Sequence, residues 1–80
     1  MKHGTKSDRN KGIVIRVLNG ENMSDLAKEH NISATTVRTI LHQAVYRILD
    51  GRRRNLRFSV IEKTPLKSFR AAKRFIINRL

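Results

Sequence analysis

The side chains best equipped for chemistry lie in one short run, Thr35, Thr36, Arg38 and Thr39. Arginine presents a planar fork of donors that can hold the O6 and N7 acceptors of one guanine or clamp a phosphate. Threonine carries a short hydroxyl and a methyl group that suits the methyl of thymine. Ser33, just before the run, and His42, one helical turn beyond Arg38, could donate to phosphate oxygens. A second set is electrostatic: Arg52, Arg53, Arg54 and Arg57, followed by Lys67, Arg70 and Arg74, are phosphate-binding candidates. The competing reading for each is a solvated side chain on a helix surface. His30 fits a half-buried packing residue better than a ligand.

Other chemistries lack their residues. The chain has no cysteine, hence no thiolate zinc site and no thiol nucleophile. Its three histidines, His3, His30 and His42, stand without a paired acidic cluster and make no metal site. The serines, histidines and aspartates show no triad arrangement, and the four glycines form no phosphate-binding loop. The sequence therefore reads as a non-enzyme that needs no cofactor and no metal.

Charge then narrows the partner. Lys and Arg number 18 against 6 Asp and Glu, a formal net charge of +12 in 80 residues. Solubility requires far less than this, so a polyanion is the expected partner, with affinity that falls as salt rises. Residues 1–49 carry 8 basic and 4 acidic side chains, and residues 50–80 carry 10 and 2, so the tail is the more basic part. No apolar stretch approaches the roughly eighteen residues of a membrane span, and MKHGTKSDRN lacks the apolar middle of a signal peptide. The expectation is a soluble, cytoplasmic, nucleoid-associated protein with no membrane partner.

The elements that must position these residues follow from spacing. Residues 1–7 show no periodicity and read as a disordered basic arm. Ile13, Val14, Val17 and Leu18 share one face of a helix over about 8–19, which Asn19 and Gly20 stop. Asn22 with Asp25 caps a short helix from about 23 to 30, whose inner face carries Met23, Leu26 and Ala27. Asn31 ends it, and Ile32 plugs the corner. Ser33 caps the strongest helix, about 34–49, with Val37, Ile40, Leu41, Ala44, Val45 and Ile48 on its apolar side. LRFSVIE at 56–62 alternates like a strand but has no evident pairing partner and receives no assignment. Thr64 and Pro65 predict a last helix from 65 to about 79, threonine capping and proline in the first position, with Leu66, Phe69, Ala72, Ile76 and Leu80 on one face. The fold class is a small all-α domain: a helix-turn-helix unit over 8–50, then a basic linker and C-terminal helix over 51–80 that packs on the core or joins two copies.

Within MSDLAKEHNISATTVRTI the spacing matches a helix-turn-helix. Ala27 must be small because the second helix crosses close above it, Asn31 permits the turn, and Val37 with Ile40 anchor the second helix on the first. Over residues 9–49 the segments IVIRVLNG, NMSDLA, NIS and VRTI resemble the promoter-reading C-terminal domain of bacterial sigma factors. They are similar also to LuxR-type response-regulator output domains. That resemblance implies that the helix at 34–49 enters the major groove, that Thr35, Thr36, Arg38 and Thr39 contact bases, and that the preceding helix touches the backbone. The chain departs from sigma factors at Ala34, Thr35 and Thr36, where they usually place long charged side chains. This counts against the ordinary promoter hexamer as the site.

Two function classes follow. One is a sequence-specific transcriptional regulator of bacterial or phage type that binds double-stranded DNA, with a homodimer doubling the site. The other is a sigma-like interaction protein that engages RNA polymerase or another transcription factor. RNA binding is disfavoured, because the few aromatic residues form no stacking pattern.

Overall fold

The computed structural model describes residues 6–50 and 57–80, and over these the chain is all-α. The helices are α1 Lys6–Leu18, α2 Met23–His30, α3 Ala34–Asp50, α4 Phe58–Lys63, α5 Leu66–Ala71 and α6 Lys73–Ile77, and no strand occurs among the described residues. α3 is the hub, packing on α1, α2 and α4, while α1 also supports α5 and α6.

Periodicity decides what is buried. Ile13, Val14, Val17 and Leu18 of α1, Leu26 and Ala27 of α2, and Val37, Ile40, Leu41 and Val45 of α3 form one cluster, which Ile61, Phe69 and Ile76 complete from the C-terminal helices. Each aliphatic side chain of this size contributes about 1.5–3 kcal/mol on burial. A helix cap contributes about 1 kcal/mol. Packing therefore sets where the helices lie, and the caps set where they end.

α1 begins at Lys6, inside the segment 1–7 expected as a disordered arm, of which residues 1–5 lie outside the described ones. Its far end and both ends of α2 are well defined. Gly20 (φ 106°) lets its own N–H reach the carbonyl of Val17 and that of Glu21 reach Arg16, closing α1 with paired 5→2 and 6→1 bonds. The same pattern ends α2. Asn31 lies in the left-handed region (φ 58°, ψ 45°), its N–H bonds Lys28 and that of Ile32 bonds Ala27. Asn22 starts α2 by accepting from the backbone of Ser24 at 2.7 Å and of Asp25 at 3.4 Å. Ser33 starts α3, its hydroxyl accepting from the Thr36 N–H at 3.1 Å. Ala27 is only 4% exposed, as a position crossed closely by α3 requires.

The left-handed turn yields a first prediction. Asn31→Gly should be tolerated, whereas Asn31→Val should destabilise the fold by about 1–2 kcal/mol, because a β-branched side chain is poorly suited to positive φ. Urea melts of both variants check this, and equal midpoints would contradict the turn's role.

A surface ion network ties α1 to α2. Arg16 donates to both carboxylate oxygens of Glu21, at 2.9 and 2.7 Å, and to both of Glu29. Its guanidinium holds both carboxyls below the usual range.

The C-terminal part differs from expectation in three places. Residues 58–63 are helical, and the strand-like alternation misleads: Phe58 and Ile61, three apart, face inward, while Val60 is 51% exposed. Thr64 closes α4 instead of opening the next helix, its hydroxyl donating to the Val60 carbonyl at 2.8 Å. Pro65 is then the residue that precedes α5. The single helix expected over 65–79 is broken at Ala72 (φ −99°, ψ 18°), which is exposed and so leaves the apolar stripe. Its N–H is shared between the carbonyls of Ser68 and Phe69, which loosens the turn there without glycine or proline.

Candidate nucleic-acid interface

α2, the Asn31–Ser33 turn and α3 hold the outer face of α3 away from the core. Thr35, Arg38, Thr39, Gln43 and Arg47 are exposed along α3, while Val37, Ile40, Leu41 and Val45 are buried beneath. Residues four apart stay close to one helical face, so Thr35, Thr39 and Gln43 form a polar ridge. Arg38 stands on the ridge's flank toward α4. Gln43 was not among the sequence candidates, although its spacing from Thr39 was available as a signal. Glutamine has the donor and acceptor that match adenine in the major groove.

Other sequence candidates are engaged inside the protein. The Thr36 hydroxyl lies 2.8 Å from that of Ser33, so both take part in the start of α3. His42, read as a phosphate contact, is 8% exposed. Its ring sits 5.9 Å from Phe69 and 6.4 Å edge-on from Phe58, because α4 and α5 fold over this side of α3. A side chain so enclosed packs and does not hold phosphate. Arg70 is also turned inward, donating to the Val17 carbonyl at 3.0 Å and to that of Glu21 at 3.2 Å. Arg57, Lys67 and Arg74 are exposed. Arg52, Arg53 and Arg54 lie outside the described residues.

The lid over His42 brings in groups that sequence did not connect. A cleft of about 220 Å³ runs between α3 and the α4–α5 turn, with Arg38, His42, Glu62, Thr64, Pro65 and Phe69 on its walls. Lys63 and Lys67 are exposed on either side of that turn. Glu62 thus supplies a carboxylate beside the flank of the ridge on which Arg38 stands. Only folding of residues 58–63 as a helix places it there.

Burial is the main cause that lowers the pKa of His42, the positive charge of Arg38 adds to it, and Glu62 opposes it. The folded state therefore favours neutral His42 more than the unfolded chain does. Its contribution to stability is full above the unfolded value near 6.5 and is lost as pH falls below that value toward the lower folded one. Urea midpoints measured at pH 7, 6 and 5 should decline, and His42→Leu should flatten the decline. An unchanged slope in the variant would place the titrating group elsewhere.

No protein-family model, curated protein or solved structure matches this chain. Among the described residues no helix is long and apolar enough to cross a membrane, and no group of three or more histidine and acidic side chains could hold a metal ion.

Proposed function

We propose that the protein is a sequence-specific binder of double-stranded DNA, acting as a transcriptional regulator with α3 in the major groove. One observation carries this reading: α2, with Ala27 buried, and α3 pack together across a left-handed turn at Asn31 and leave the Thr35, Thr39 and Gln43 ridge, with Arg38, facing solvent. That is the placement a recognition helix requires, with the preceding helix against the backbone. Arg38 reads guanine, and the threonine methyls meet thymine methyls. The exposed cations Arg57, Lys63, Lys67 and Arg74 supply affinity independent of sequence, together with Arg52, Arg53 and Arg54.

Selection of bound sequences from a random duplex pool tests the reading. A defined consensus is expected, and a palindromic one would indicate that two copies bind together. Absence of enrichment, or enrichment only when RNA polymerase is present, would replace this reading with that of a sigma-like interaction protein.

A further inference from the structure

A second concavity lies on another side of α3, between α1, α3 and the C-terminal residues, with a volume of about 440 Å³. Its apolar walls are Val14, Ile40, Ala44, Ile48 and Leu80. Lys11, Arg47 and Arg79 stand around them, with the amides of Asn10 and Gln43. No aspartate or glutamate side chain among the described residues lines it. The volume falls within the range of roughly 300–1,000 Å³ typical of small-molecule sites.

Two of the polar groups are held in place. The Arg79 guanidinium lies 3.8 Å from the centroid of the Phe75 ring and donates to the Phe75 carbonyl at 3.4 Å. Asn10 uses its side-chain oxygen to accept from Arg9 at 3.2 and 3.1 Å, which engages the acceptor end of the amide. The rim is therefore rich in donors and positive charge, above an aliphatic floor.

Such a surface discriminates among occupants. A nucleic-acid phosphate would satisfy the cations and leave the aliphatic floor wet. A second copy of the chain would bring a net charge of +12 toward three cations, and of its exposed carboxylates those of Glu21 and Glu29 are already held by Arg16. An amphipathic anion satisfies both parts. We propose that this concavity binds a small carboxylate with an apolar body, the carboxylate on Arg47, Arg79 and Lys11 and the apolar body on Ile40, Ala44 and Ile48. Arg47 and Gln43 belong to α3, so such a ligand would sit on the helix that we assign to DNA. The binding itself does not depend on that assignment.

Amide NMR titration of the full chain at about 150 mM salt tests this, since salt at that level screens generic surface pairing. Octanoate is the probe, and octanamide, which keeps the same apolar chain on a neutral amide head of similar size, is its control. Octanoate should give saturable shifts around Val14, Ile40, Ala44 and Ile48 and bind at least about tenfold more tightly than octanamide, as charge-assisted hydrogen bonds imply. Arg47→Gln, at an exposed position that keeps the fold, should weaken octanoate at least about fivefold and leave octanamide unchanged. Equal affinity for the two probes, an Arg47→Gln variant that binds octanoate normally, or unsaturated shifts that spread to Lys63, Lys67 and Arg74 would each overturn the proposal.

Discussion

Raising salt from about 50 to about 200 mM should weaken binding to duplex DNA by roughly 10³-fold or more. The effect comes from counterions released as phosphates are neutralised, so its size follows the number of cations that reach DNA rather than the whole net charge. The fold removes some from that count. Arg16 is held by Glu21 and Glu29, and Arg70 by carbonyls at the end of α1. Arg38, Arg57, Lys63, Lys67 and Arg74 remain exposed, and Arg52, Arg53 and Arg54 add to them in sequence. Six contacts suffice for the stated loss, because affinity falls with salt as an inverse power of about 0.9 per neutralised phosphate. Equilibrium binding of a labelled duplex at several salt concentrations gives the slope. A flat response, or equal affinity for any acidic polymer, would rule out groove binding of the proposed kind.

Arg70→Ala should lower stability by about 1.5–3 kcal/mol, the range for hydrogen bonds that involve a charged group. The guanidinium joins residues 53 apart in sequence, from α5 to the last turn of α1. There the carbonyl of Val17 already accepts from Gly20, and its second lone pair takes Arg70 Nε. A cation at this end also answers the negative pole of α1. In a domain of this size the loss should lower Tm by about 6–24 °C. Arg70→Lys should recover only part of it, since an ammonium cannot reproduce the fork. Arg74→Ala, at an exposed position on α6, should stay within about 0.5 kcal/mol of the parent. Thermal melts of the three variants decide it, and a stable Arg70→Ala would mean that apolar packing, centred on Ile61, Phe69 and Ile76, holds the C-terminal helices without it.

The N-terminal helices were legible because each local signal agreed with the tertiary one. Asn22, Asn31 and Ser33 cap or turn where their chemistry suits, and the spacing of Val37, Ile40, Leu41 and Val45 announces the buried side of α3. The C-terminal part was not legible, for physical reasons. Alternation over 56–62 imitates a strand, while the helix there is fixed by Phe58 and Ile61 packing against α3, a non-local cause. Thr64 is a good cap for either neighbour, and only geometry shows that it bonds backward to Val60. His42 lies near the exposed side of α3 by helical spacing and is buried because distant residues cover it. Arg70 could not be told from Lys67 or Arg74 by composition. Its role depends on where the end of α1 lies in space.

The central claim is that α3 reads bases while the basic residues outside the motif hold the backbone. Quantitative binding of the parent, Arg38→Ala and the triple Arg52, Arg53, Arg54→Ala variant to the preferred and a scrambled duplex tests it most directly. Arg38→Ala should cost about 1–3 kcal/mol on the preferred duplex and relax preference at one position, with little change on the scrambled one. The triple variant should weaken both duplexes alike and reduce the salt slope by roughly one unit per lost phosphate contact. If Arg38→Ala weakens both duplexes equally, Arg38 is a phosphate clamp and the reading residues are misassigned. If it changes neither, α3 does not face DNA, which contradicts the account.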